Sequence, residues 1–176
     1  MADTISFDNK AASQILREEL GALKDRIANN MRANGQVASG RTIQSMHVDV
    51  NEDYGALYGR KYFGVLETGR RAGRVPRNFT SIILQWMHDK GIHAAPIPYK
   101  TNKPHKYSEQ ERGDLSMASA IAHTIAAEGS LLHRTGGRDD VYSNVIPDTM
   151  KRIKQRLIFL IKQDFEHITL NTKKTI

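Results

Sequence analysis

The chain has no cysteine. Disulfides, thiol nucleophiles and Cys-based metal sites are therefore excluded, and the composition suits a reducing compartment. Long apolar runs are also missing. No stretch approaches about 18 residues, so no membrane span is expected. The opening MADTISFDNK holds no apolar h-region, and no secretory signal is expected. Aromatics make up 7% of the chain and tryptophan occurs once, at position 86. Apolar residues reach only 39% and mean hydropathy is −0.52. That is little core per residue, and contacts between subunits are expected to supply part of the missing burial.

Catalytic signatures are absent as well. There is no G-x-S-x-G and neither phosphate-binding glycine pattern. Seven histidines invite a metal site. However, no H-E-x-x-H or H-x-x-H occurs. His88 and His93 are five apart across Gly91, which breaks helical i,i+4 ligation. His123 and His133 are separated by a predicted helix end. No metal, cofactor or enzymatic activity is expected. Glu67 as a lone general base would need a partner, and no second carboxylate or histidine stands near it in sequence. It reads better as a structural partner for an arginine.

What is present is positive charge: 26 Lys and Arg against 19 Asp and Glu, net +7, with pI near 9.7. The densest part is Tyr62–Gly91 with its approach. An apolar patch of Tyr62, Phe63, Val65 and Leu66 leads to Glu67 and Gly69. Arg70, Arg71, Arg74 and Arg77 follow, and then a short segment with Trp86. Lys100, Lys103 and Lys106 lie in a second loop, and basic residues crowd the start of the last helix. Such loops suit phosphate or acidic protein surfaces. The plainer alternative is a solvated positive surface. No aromatics are interleaved with the charges, which argues against single-strand stacking.

At 176 residues one domain is expected: a flexible leader over 1–10, a single domain over 11–167 and a tail over 168–176. Ile15, Leu16, Leu20, Leu23, Ile27 and Met31 keep a helical period over 11–33. Alternation predicts a strand over 42–50, with Met46, Val48 and Val50 inward, and a return strand over 54–58. Residues 62–68 fit either a strand end or a helical turn. A helix over 78–90 should bury Ile82, Ile83, Trp86 and Met87. Residues 92–113 and 129–144 read as long loops, with a helix between them capped by Asp114 or Ser116. The last helix starts at Pro147 and buries Ile153, Leu157, Leu160, Ile161 and Phe165 along a face reaching His167. The glycines at 69 and 73 predict a conformationally free basic loop.

Ser39-Gly40-Arg41-Thr42-Ile43-Gln44-Ser45 opens the predicted strand, and Tyr62-Phe63-Gly64-Val65-Leu66-Glu67-Thr68-Gly69 precedes the basic loop. In this order, the two signatures resemble those of the tail-completion or neck proteins that join head and tail in tailed bacteriophages. Phe63 stands where that family has a small residue, and the middle loops here are longer. The likeness spans roughly residues 11–167. It implies an α+β fold: a small antiparallel sheet packed by an N-terminal helix, a short Trp-bearing helix and a long C-terminal helix, with long extended loops. It also implies a non-enzymatic homo-oligomeric ring in the virion, at the head–tail joint. The expected partners are neighbouring connector, portal or tail proteins, with transient DNA contact in the channel. A basic nucleic-acid-binding protein and a small hydrolase using Glu67 remain the alternatives. Tyr62, Glu67, Gly69 and Trp86 are the expected structural positions; the seven loop cations are the expected contacts.

Overall fold

The computed structural model describes residues 9–52, 54–101 and 104–172. Of the expected leader and tail, residues 1–8 and 173–176 lie outside the described part. The fold is α+β: helices and one two-stranded antiparallel sheet. Within the span 11–167, contacts gather into two compact units.

The first unit runs to Gly35, takes in Thr42–Arg60, and resumes at Asp139. Helix α1 (Asn9–Ala33) supplies its spine and buries Ile15, Leu20, Leu23, Ile27 and Met31, as the period predicts. The predicted 42–50 strand is shorter than the alternation suggests. A helical turn, α2 (Arg41–Gln44), precedes it, and β1 covers only His47–Val50. The reason is local. The Ser45 hydroxyl donates to the Thr42 carbonyl (2.7 Å) and the Met46 N–H to the Ile43 carbonyl, which closes a turn before the strand can start.

Strand β2 (Gly55–Tyr58) returns antiparallel, pairing His47 with Tyr58 and Val50 with Gly55. Val48 and Val50 face α1, where Gly55 meets Leu16 and Leu20 closely enough that a Cβ would crowd them. The Ser13 hydroxyl donates to the Asn51 carbonyl (3.1 Å) and fixes the turn to the helix.

On another flank of α1 lies α7 (Ile146–Thr172), extending past the predicted end at His167. The largely buried Glu19 accepts from Arg152 (2.9 Å) and Arg156 (3.1 Å), and Glu18 accepts from Arg156 (2.6 Å). Hydrogen bonding from Arg152 is the main reason the Glu19 carboxyl sits below its ordinary range. Thr149 is fully buried and accepts from Arg26 (2.8 Å).

The predicted α7 stripe is only partly inward. Ile153 is buried, whereas Ile161 and Phe165 are exposed. At about 100° per residue they lie roughly 80° and 120° around the helix from Ile153, off the side that α1 covers.

The second unit comprises Gln36–Arg41 and Lys61–Arg138. Its ordered elements are α3 (Val65–Thr68), α4 (Phe79–Asp89), α5 (Glu109–Glu128) and α6 (Leu131–Arg134). Its core joins Ile83 and Met87 of α4 to Ala118 and Ala122 of α5. The small alanines let the two helices approach. Residues 62–68 resolve as a helical turn. Helix α5 starts five residues before Asp114, because Ser108 and Glu111 form a reciprocal capping box. The 129–144 segment contains α6, capped by Ser130. Among the described residues no helix is long and apolar enough to cross a membrane.

Candidate interaction surface

The expected structural positions and the described loop cations fall in the second unit; Lys103 lies outside the described residues. The basic loop 69–77 does not swing free, contrary to expectation. Gly69 is buried at φ +67°, and a Cβ there would lie 2.3 Å from the His133 backbone nitrogen. Only glycine allows this approach. The Arg70 N–H donates to the Ser130 hydroxyl (2.9 Å), and the Arg70 carbonyl accepts from the Ser130 N–H (2.8 Å). The Gly73 N–H donates to the Ala126 carbonyl (2.8 Å). The loop is thus stitched to the end of α5 and the start of α6.

This anchoring sorts the arginines. Arg70 donates to the Arg74 carbonyl (2.8 Å) and lies over the Phe79 ring, 5.3 Å from its centroid. It braces the loop. Arg71, Arg74 and Arg77 are exposed. Arg77 borders a shallow depression of about 120 Å³, with Thr80, Phe79 and His123 on its walls. The surface therefore presents three arginines on a pinned backbone.

The loop before α5 is also tied down. The Ile97 N–H donates to the Glu109 carbonyl and the Ala94 N–H to Asp114. Tyr99 stacks on His105, donates its hydroxyl to the Tyr107 carbonyl, and lies under Arg112. Lys100 and Lys106 are exposed, with Lys106 over the Tyr107 ring (5.1 Å). The segment read from sequence as a long loop is thus tied back to its own helix.

Three of the expected structural positions need correction or comment. Trp86 is 40% exposed. Ile83 and Met87 take the face against α5, and Ile82 and Trp86 form the adjacent stripe, which α5 does not reach. Tyr62, in the turn that leads into α3, is 71% exposed. Glu67 is only 4% exposed, and its carbonyl accepts from the Arg138 N–H (2.9 Å). A carboxylate that deep offers solvent-borne substrate no open base.

Sequence reasoning missed the role of Asp114. It does not cap α5; it sits inside that helix, buried, and gathers the preceding loop. Its carboxylate accepts from the Ala94 N–H (2.7 Å) and Gln110 (3.0 Å), and contacts His93 Nδ1 at 3.0 Å. His88 lies 3.8 Å away. The His93 hydrogen bond, then the one from Ala94, holds Asp114 below the usual aspartate range. A depression of about 260 Å³ nearby is lined by Ser81, His88, Tyr107 and Glu111. Ser81 and His88 share an α4 face but stand two turns apart, about 10.5 Å along the axis, too far for direct proton transfer. Among the described residues no group of three or more His, Asp and Glu side chains is disposed to hold a metal ion. The legible signal was Ser108-x-x-Glu111, which places the helix start ahead of Asp114. Comparison with protein-family models, curated proteins and solved structures finds no match to this chain.

Proposed function

We propose that this protein is a non-enzymatic structural subunit that assembles into a homo-oligomeric ring, serving as a head–tail connector in a tailed-phage virion. The observation that carries the reading is the amount of large apolar surface left uncovered on a chain with little core. Tyr62, Trp86, Leu131, Ile158, Phe159 and Phe165 are all exposed. Ile158 and Phe165 lie on one side of α7, and apolar surface clustered in this way marks contact with other proteins. The sequence resemblance supplies the setting: portal, connector or tail proteins above and below the ring.

The pinned arginines Arg71, Arg74 and Arg77 serve as contacts to an acidic neighbour. A rigid backbone presenting planar guanidinium forks favours fixed carboxylates over a sliding DNA backbone. A second reading, nucleic-acid binding, draws on the same three arginines and the net charge of +7.

Neutralising Arg71, Arg74 and Arg77 together separates the two. The connector reading expects lost joining or lost oligomerisation, with weak DNA binding little changed. The other reading expects intact assembly and a log–log salt slope of DNA binding reduced by about 2.7, from about 0.9 for each of three phosphate contacts. Intact assembly with that slope change would overturn the connector assignment of this surface.

A further inference from the structure

The first unit carries two exposed faces of complementary character, and we infer that they meet between successive copies of this chain. The first is the outer face of α7. Met150, Ile158, Ile161 and Phe165 are exposed there, with Lys154 and Lys162 among them. At about 100° per residue these six fall within a sector roughly 120° wide. The helix segregates its cations: Arg152 and Arg156 turn toward α1 and pair with Glu18 and Glu19, while the lysines stand on the outer side. The face is apolar and positive.

The second face is the outer side of the hairpin. In the β1–β2 register His47 and Asp49 share it with Tyr58, and the Tyr54 hydroxyl donates to Asp49 (2.9 Å). Glu52 stands exposed in the turn, and Tyr54 and Tyr58 are both exposed large rings. Arg17 donates to the Val50 carbonyl nearby (3.4 Å), but the two carboxylates outnumber it. Arg60 follows Tyr58 at the opposite end of the hairpin from Glu52. The turn end of this face is aromatic and acidic.

Within one chain these faces look different ways. The hairpin packs on α1 through Ser13, Leu16 and Leu20, and α7 packs through Glu18, Glu19 and Arg26. Nor does the α7 face suit a copy of itself. An isologous pair would bring lysine-bearing faces together, and like charges at an interface are costly. A heterologous contact, α7 of one copy on the hairpin of the next, sets Lys154 and Lys162 against Asp49 and Glu52 and covers the apolar rows with tyrosine. Head-to-tail contacts of this kind close into rings when the rotation allows. The inference rests on the ring reading above and assigns its subunit interface.

Charge reversal tests it with two variants, each altered only at exposed positions: Lys154→Glu with Lys162→Glu, and Asp49→Lys with Glu52→Lys. Sedimentation or light scattering reads the assembly, and circular dichroism checks the fold. We expect each variant alone to lose at least tenfold in assembly affinity. An equimolar mixture should regain it, because each reversed face then meets its complement on the other variant. If the wild type assembles and neither variant weakens it, this interface is wrong and the ring reading stands. If both variants lose assembly and the mixture fails to restore it, the faces do not meet each other and the inference falls. A wild type that stays monomeric across the accessible concentration range would overturn the ring reading and this interface together.

Discussion

Two glycines on helices make opposite demands on a methyl group. At Gly113 an added Cβ would lie 2.2 Å from the Ala95 carbonyl oxygen, where the incoming loop crosses α5. At Gly21, on α1, a Cβ meets nothing within 4 Å. Gly113→Ala should therefore destabilise by about 1–3 kcal/mol through forced backbone movement. Gly21→Ala should stabilise by up to about 1 kcal/mol through helix propensity. Urea midpoints of the two variants against the parent check both signs. Asp114 is the second test at this scale. Its pKa is depressed in the folded chain, so its contribution is fully present above the unfolded aspartate value and is lost as pH falls through the folded value. Asp114→Asn should lower the melting temperature at pH 7. The gap between variant and parent should narrow on acidification below the ordinary aspartate range; a gap independent of pH would remove the carboxylate from the account. Little of this was legible beforehand. Asp114 resembles an N-cap in sequence, and its real partners, Ala94 and His93, reach it only after the loop has folded back.

Helix α4 shows how far periodicity reaches. The helix itself was readable from its apolar spacing, but the choice between two neighbouring stripes was not. Ile83 and Met87 won because Ala118 and Ala122 make room beneath them, and one packing helix covers one stripe. Met87→Ala should cost about 2–5 kcal/mol. Trp86→Ala should cost less, about 1–2 kcal/mol, since its ring keeps much of its water. Denaturant melts of the pair check the order, and a Trp86 loss larger than that at Met87 would reverse the assignment. In α1 the predicted apolar residues are buried except Leu16, which is half-buried, because the hairpin and α7 enclose the helix on two flanks. In α7 the pattern misleads at Ile161 and Phe165, which turn away from α1, while Leu157 and Leu160 stay half-buried on the side of Ile153. The helical turn at 41–44 escaped notice because alternation over a few residues cannot weigh a local Ser45–Thr42 hydrogen bond.

For the whole molecule, low apolar content and high positive charge together suggested a chain completed by others. The exposed rows on α7 and beside Trp86 support that account, and the pinned arginines add a second surface with its own chemistry. The α+β class and the long last helix were legible from turn chemistry and period. The tethering of the loops was not, since it depends on backbone groups far apart in sequence, such as Gly73 with Ala126. Closed self-assembly is tested most directly by the mass of the purified particle. Light scattering over a hundredfold range of concentration should find one dominant species at a fixed integer multiple of 19.8 kDa, with a central opening in negative-stain images. A species of 19.8 kDa throughout, or open-ended polymers that lengthen with concentration, would contradict it.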